Sequence, residues 1–320
     1  MNYILNDIIW EFTSKCNKNC LFCGSKDIIG HKDLSYDEID VILHEIIAQK
    51  DLEFLTITGG EPSIDATLPS IVDIINKEKP DLKVRILTNG LFLTQPKCLK
   101  LLDHKNNGIG VSVNTQDDIK SLEDLITNVK DKNKVTMITN FGNHNFNDFL
   151  YLFNFSKNFG LWQIQLTIDD KLQLNQDQIK QLLNYIEITD NGNCKILRAD
   201  NLTGLPCTAG KTSCSITYEG EVIPCLSFRS WRKTLDVQGI IKKEGDLTNI
   251  WNNKFEKYRT SKCVCCKDIV GVSELFNEVI PNYTPIKQFD IHKISNDMIV
   301  SVYAVRINDD FSTPTCKKRR

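Results

Sequence analysis

Apolar runs and amphipathic stretches alternate along the chain from residue 5 to about residue 200. Short apolar runs bounded by polar residues are typical of buried strands, and apolar residues recurring every three or four positions are typical of helices. Strand followed by helix, repeated, implies parallel strands with crossover helices. The six candidate strands are Ile8–Phe12, Phe54–Thr58, Val84–Thr88, Ile109–Val113, Val135–Thr139 and Ile164–Ile168.

The clearest helix signal follows Ser35, which forms a capping-box pair with Glu38. Apolar residues then recur on one face, so this helix is expected to run to about Gln49. Four further stretches predict the other crossover helices: Leu68–Asn76, Asp118–Val129, Asn147–Asn158 and Gln176–Ile186.

The alternation stops near Leu202, where cysteines begin to punctuate the chain. We therefore predict two domains, residues 1–202 and 203–320. A hairpin is expected at the start of the second, with Ser215–Tyr218 and Glu221–Ile223 as its strands and Glu219-Gly220 at its turn. Ile299–Ile307 alternates like one more strand.

Charge and hydropathy exclude several classes of function. The chain has 39 Lys and Arg against 41 Asp and Glu among its 320 residues, which indicates no basic field for nucleic acid or an anionic membrane. No apolar run reaches the roughly 18 residues that span a bilayer. Met1–Phe12 lacks the positive start of a secretory signal, and Lys317–Arg320 is interpreted as a solvated tail. A cytoplasmic location, with no nucleic-acid or membrane partner, is therefore expected.

The number and the clustering of the cysteines indicate metal binding. In a reducing compartment the 12 cysteines are expected to be metal ligands or catalytic thiols rather than disulfides. Nine of them fall within residues 16–23 and 207–266, leaving Cys98, Cys194 and Cys316 isolated. Two metal-binding regions are therefore expected.

The first region is Cys16-Asn-Lys-Asn-Cys20-Leu-Phe-Cys23, on the loop after the first strand. Three thiolates from one loop suit an iron–sulfur cubane and leave one iron without a protein ligand. A structural zinc site is the alternative, with His31 as a candidate fourth ligand.

With its surroundings, this loop resembles the radical SAM superfamily, whose members bind S-adenosylmethionine (SAM). The C-x3-C-x2-C spacing follows a first strand, Thr58-Gly59-Gly60-Glu61-Pro62 closes the second, and Thr88-Asn89-Gly90 closes the third. The resemblance implies a partial (β/α)6 TIM-like barrel with the site at the carboxyl ends of its strands. It also implies that Cys16, Cys20 and Cys23 hold a 4Fe–4S cluster, and it assigns seven residues to SAM binding: Gly59, Gly60, Glu61, Pro62, Asn89, Ser112 and Asn114.

The second region has two single cysteines, one at each base of the predicted hairpin, and a later C-x2-C pair. Four thiolates can close either an iron–sulfur or a zinc site. The arrangement resembles the twitch domain, a shorter relative of the SPASM domain, and this implies that an auxiliary 4Fe–4S cluster is held by Cys207, Cys225, Cys263 and Cys266. Cys214 and Cys265 could replace one of these ligands. The spare thiols are otherwise buried apolar residues or, for Cys214, a hydrogen-atom or proton donor.

The resemblance implies a chemistry. Radical SAM enzymes cleave SAM reductively to a 5′-deoxyadenosyl radical, which removes a hydrogen atom from the substrate. An auxiliary cluster favours oxidative modification of a ribosomally made peptide, by cross-linking, dehydrogenation or epimerisation. Expected partners are a flavodoxin- or ferredoxin-type electron donor and a separate peptide-recognition protein.

Three alternatives stay open. The substrate could be a small molecule such as an aminosugar, which twitch relatives dehydrogenate. The molybdenum-cofactor cyclase is similar in length, but its C-x2-C pair precedes its single cysteine, whereas here the pair comes last. A protein of another class, a non-catalytic zinc-binding interaction module, would be colourless and bear zinc rather than iron.

Overall fold

The computed structural model describes residues 3–21, 23–156, 161–166, 177–178, 195–198, 208–226, 236–260, 283–285 and 305–307. The strands are β1 (Asp7–Thr13), β2 (Phe54–Gly59), β3 (Lys83–Thr88), β4 (Asn107–Ser112), β5 (Val135–Phe141), β6 (Leu161–Leu166), β7 (Lys195–Arg198), β8 (Ser213–Ile216), β9 (Glu221–Ile223), β10 (Gly239–Ile240), β11 (Tyr283–Pro285) and β12 (Val305–Ile307). The α-helices are α1 (Tyr36–Ile47), α2 (Leu68–Glu78), α3 (Pro96–Lys100), α4 (Gln116–Thr127), α5 (Phe149–Ser156), α6 (Asp246–Lys254) and α7 (Glu256–Thr260).

The chain divides into two compact units, Met1–Ile109 with Cys207–Val264 and Gly110–Pro206 with Cys265–Arg320. In the first unit the strand order is β10-β9-β8-β1-β2-β3, in which β8, β1, β2 and β3 are parallel and β9 and β10 are antiparallel additions. In the second unit β5, β6 and β7 are parallel neighbours, and β11 pairs antiparallel with β12. This parallel order with intervening helices confirms the predicted α/β class.

Each of the six predicted strands overlaps an observed one, with small shifts at the ends. The largest shift is in β6, which begins at Leu161, three residues before the predicted start. The predicted helix Gln176–Ile186 and the domain boundary at 202 lie almost wholly outside the described residues and stay predictions. Of the predicted strand Ile299–Ile307, only β12 is described.

Helix α1 shows how the first unit is held together. The predicted capping box forms, since the Ser35 side chain accepts from the Glu38 backbone and the Glu38 side chain accepts from the Ser35 backbone. Glu45 of α1 is buried, and its carboxylate accepts hydrogen bonds from Gly245 N and Leu247 N, both at 2.7 Å. Because Gly245 has no capping side chain, the N-terminus of α6 is capped by a residue 200 positions away in sequence.

The predicted hairpin is present as β8 and β9, and it extends the parallel sheet rather than standing apart. β8 lies beside β1, with Ile8 opposite Cys214. Gly220 in the turn has a φ of 77°, which favours glycine. Within the described residues no helix has the length and apolar character needed to cross a membrane.

Candidate metal centre

The loop that carries the first three cysteines leaves the carboxyl end of β1 and is closed at its base by hydrogen bonds. Asp33 accepts from Thr13 Oγ1 and from Ser14 N, both at 2.6 Å, and Ser14 Oγ donates to His31 O at 2.6 Å. Burial works against ionisation of Asp33, but these hydrogen bonds and Lys15 outweigh it and lower the pKa of the carboxyl group. Asp33 therefore holds both ends of the loop together. No motif in the sequence predicts this role.

The Gly59-Gly60-Glu61 backbone lies directly against the start of this loop. Gly60 N donates to Thr13 O at 2.8 Å, and Glu61 N donates to Lys15 O at 2.7 Å. A Cβ atom on Gly60 would lie 2.0 Å from Lys15 O, and one on Gly59 would lie 2.3 Å from Thr13 O. Glycine is required here because the end of β2 approaches the cysteine loop closely.

The carboxylate of Glu61 is fully buried and is surrounded by donors of the protein itself. It accepts from the backbone and hydroxyl of Ser63, from Thr88 Oγ1 at 2.9 and 3.1 Å, and from Asn89 N at 2.6 Å. Glu61 thus joins the end of β2 to the end of β3. Its expected contact with SAM stays a prediction, and in this structure both of its oxygens accept hydrogen bonds from protein donors.

Glu61→Gln is expected to lower thermal stability, because one carboxylate oxygen becomes an NH2 group that faces N–H and O–H donors. Leaving buried donors without an acceptor costs about 1–3 kcal/mol, which corresponds to roughly 2–4 °C in melting temperature per kcal/mol for a chain of 150–250 residues. A melting curve measures the loss, with the exposed Glu78→Gln as the matched control. An unchanged melting temperature together with weaker SAM binding by calorimetry would contradict the strand-joining role.

Asn89 connects β3 to the cysteine loop. Its Nδ2 lies 3.8 Å from Cys16 Sγ and donates to Asn17 Oδ1 at 2.8 Å. Lys18 N also donates to Cys16 Sγ, at 3.4 Å. The three sequence motifs that were expected to converge are therefore in direct hydrogen-bond contact at the carboxyl ends of β1, β2 and β3.

The three thiols of the loop suit an iron–sulfur cluster in their chemistry. Cys16, Cys20 and Cys23 are half-buried, and N–H donors face the Cys16 sulfur, as the thiolate ligands of such clusters require. Within the described part of the chain no three His, Cys, Asp or Glu side chains converge on one point. Burial raises the pKa of Cys23, and the neighbouring Cys16 raises it further, so a metal would have to displace the proton of this thiol to bind it.

His31, the alternative fourth ligand for zinc, points to a different partner. Its Nδ1 is 2.9 Å from the hydroxyl of Tyr218, which follows β8, and the two rings meet edge to face. Glu11 of β1 accepts from Ser25 Oγ at 3.2 Å and from Tyr218 N at 3.4 Å. These contacts tie the loop after the cysteines to the hairpin of the second cysteine region.

Ser112 and Asn114 lie at the end of β4, as expected. Asn114 is buried, its Oδ1 accepts from Asn140 N at 2.7 Å, and its backbone O accepts from Asn145 Nδ2 at 2.7 Å. Asn114 therefore joins the end of β4 to the end of β5, much as Glu61 joins β2 to β3. The assignment of Ser112 and Asn114 to SAM binding stays a prediction.

Of the second cysteine region the structure describes two candidates. Cys225 is half-buried just after β9, whereas Cys207, Cys263, Cys265 and Cys266 lie outside the described residues. Cys214 is 1% exposed within β8, and burial raises the pKa of its thiol far above the usual value, so the thiol stays protonated. This position favours the interpretation of Cys214 as a core residue, and its role as a donor stays a prediction.

Two family models match this chain. The family model of the radical SAM superfamily matches residues 10–186, and that of the SPASM iron–sulfur cluster-binding domain matches residues 207–268. The SPASM match bears out the predicted iron–sulfur region at the C-terminal end.

The individual proteins that resemble this chain share less than a third of their aligned residues with it. The GTP 3′,8-cyclase of Campylobacter fetus is 27% identical over 278 residues, which cover 74% of this chain and 85% of that protein. The structure of Streptococcus suis SuiB bound to S-adenosylmethionine superposes with a TM-score of 0.63 at 17% identity, covering 84% of this chain and 72% of SuiB. The structure of anSMEcpe with bound AdoMet and the Cp18Cys peptide gives a TM-score of 0.61 at 15% identity, covering 79% of this chain and 82% of that one. At these identities the structures show the fold alone, and it is the fold expected for a partial barrel of radical SAM type.

Proposed function

This chain belongs to the radical SAM superfamily, whose family model covers more than half of its length, and we propose that it cleaves SAM reductively to oxidise a peptide substrate. The radical SAM and SPASM matches imply 4Fe–4S clusters and SAM as cofactors. The observation that carries the proposal is the hydrogen-bonded contact of the three motifs at the ends of β1, β2 and β3. It links the Gly59-Gly60-Glu61 backbone and Asn89 to the loop of Cys16.

In this proposal the residues of the loop have defined tasks. Cys16, Cys20 and Cys23 would hold the first cluster through three thiolates and leave one iron without a protein ligand. When bound, the cluster and SAM supply the 5′-deoxyadenosyl radical that removes a hydrogen atom from the substrate. Asp33 closes the loop at its base, and Gly60 seats it on β2, so the thiols are presented from a rigid strand end.

The second cysteine region would hold the auxiliary cluster that accepts the electron left on the substrate. Its ligands are proposed to be Cys225 together with Cys207, Cys263 and Cys266, all within the SPASM match. Cys225 follows β9, which is separated from β1 only by β8. Cys225 therefore lies beside the same sheet as the first cysteine loop and in the same compact unit.

The peptide substrate is supported by the SPASM region and by the proteins that share this fold. SuiB has been seen bound to its precursor peptide SuiA, and anSMEcpe has been seen with the Cp18Cys peptide. We extend these observations to this chain and propose a ribosomally made peptide, with an electron donor of the flavodoxin or ferredoxin type and a separate peptide-recognition protein.

Cyclisation of GTP is the second candidate, favoured by the similarity to the Campylobacter fetus enzyme over 85% of its length. The order of the C-terminal cysteines argues against it, because here the single Cys207 and Cys225 precede the Cys263/Cys266 pair.

Substrate-dependent formation of 5′-deoxyadenosine separates the two candidates. Anaerobically reconstituted protein is incubated with SAM, dithionite and either GTP or any short peptide that is found to be encoded beside its gene. We expect a peptide, and not GTP, to raise 5′-deoxyadenosine formation above the substrate-free rate and to lose mass as hydrogen is removed. Consumption of GTP with unchanged peptides would overturn the peptide proposal and favour the cyclase.

A further inference from the structure

We propose that Asn89 is a positioning residue that donates a hydrogen bond to the Cys16 sulfur and thereby raises the reduction potential of the first cluster. The inference deepens the proposed function and rests on it. Asn89 Nδ2 lies 3.8 Å from Cys16 Sγ, within reach of an N–H···S hydrogen bond, and its second hydrogen is directed to Asn17 Oδ1 at 2.8 Å.

The orientation of the Asn89 amide is fixed by its other partner. Its Oδ1 accepts from Leu91 N at 3.4 Å, in the turn that begins at Gly90. An amide flipped by 180° would place oxygen against the oxygen of Asn17 and would lose the contact with Leu91. The nitrogen therefore faces the cysteine loop.

The backbone of Asn89 is held equally firmly. Asn89 N donates to Glu61 Oε2 at 2.6 Å, and the same carboxylate accepts from Thr88 Oγ1. Because Glu61 is fully buried, this anchor does not compete with water. The contacts form one path. It runs from Glu61 at the end of β2, through Asn89 at the end of β3, to Cys16 in the loop after β1.

A donor aimed at a cluster thiolate changes its redox properties. Reduction adds negative charge to the cluster and its sulfur ligands, so an N–H donor stabilises the reduced form more than the oxidised form. Lys18 N supplies one donor to Cys16 Sγ, and Asn89 supplies a second from another strand. Loss of the Asn89 donor is expected to make the cluster harder to reduce.

The test is a redox titration of the reconstituted protein. The reduced first cluster is monitored through the electron paramagnetic resonance signal that changes when SAM is added. In Asn89→Leu the ratio of reduced to oxidised cluster at a fixed potential is expected to fall about fivefold, the effect of losing one hydrogen bond. Asn89→Asp keeps the shape, removes both N–H donors and adds negative charge, so the ratio is expected to fall further. Asn19→Ala is the matched control, since it removes an exposed amide from the same loop and is expected to leave the ratio unchanged.

The outcomes separate the inference from the proposed function. Wild-type potential in both Asn89 variants, with SAM binding weakened in calorimetry, would identify Asn89 as a SAM contact and overturn the inference. An equal shift in Asn19→Ala would overturn it as well, because the effect would then belong to the loop as a whole. A wild-type protein without any SAM-responsive signal would refute the proposed function itself.

Discussion

Replacing Cys16, Cys20 or Cys23 with alanine is expected to abolish formation of 5′-deoxyadenosine by the reconstituted protein. Each substitution removes one of three thiolates, and two thiolates from one loop do not hold a cubane with a single open iron. Product is measured by chromatography after anaerobic incubation with SAM and dithionite, beside iron analysis of each variant. The iron content is expected to fall by about half, from about eight to about four irons, because the auxiliary cluster is proposed to have four ligands of its own.

Cys98→Ala is the matched control for these three variants. Cys98 lies in α3, is 1% exposed, and burial raises the pKa of its thiol to about 11. A buried thiol of this kind behaves as a small apolar residue, so its loss is expected to leave SAM cleavage in place. Normal 5′-deoxyadenosine formation in any of the three loop variants would contradict the proposal that Cys16, Cys20 and Cys23 hold the cluster that cleaves SAM.

Gly60→Ala is expected to disable the site without removing any ligand. The added Cβ would lie 2.0 Å from Lys15 O, and neither of the two backbones can move without breaking the bonds Gly60 N–Thr13 O and Glu61 N–Lys15 O. Displacement of the cysteine loop by about 1 Å can cost about a hundredfold in rate. We therefore expect about that loss of 5′-deoxyadenosine formation and a lower melting temperature.

The matched control is Gly30→Ala, in the same loop but after its three cysteines. Gly30 has a φ of 83°, and a Cβ there would meet no atom within 4 Å, so this substitution carries backbone strain of about 1–2 kcal/mol but no clash. Equal losses in the two variants would mean that strain anywhere near the loop is enough, and that the contact between Gly60 and Lys15 has no special role.

The α/β fold and the iron–sulfur chemistry could both be predicted from local patterns in the chain. Strands β1 to β6 were predictable because buried parallel strands read as short apolar runs, and α1 because its capping box is local. The cysteine loop and the two motifs after β2 and β3 were recognisable because each is a contiguous stretch at a strand end, where parallel topology brings them to one edge. Boundaries shifted by a few residues, since the last residues of an element depend on their neighbours in space.

The hydrogen-bond partners of the polar side chains could not be predicted in this way, because they depend on how the strands and helices pack. Glu61 accepts from Thr88 and Asn89 at the end of β3, and Asn114 accepts from the backbone of Asn140 on the next strand. Glu45 looked like an ordinary helix residue and caps α6 from 200 positions away. The physical reason is the same in each case. Periodicity and motif spacing record local geometry, whereas a buried carboxylate or amide takes whichever donors the packed strand ends bring within hydrogen-bond distance, and those donors come from elements far apart in the chain.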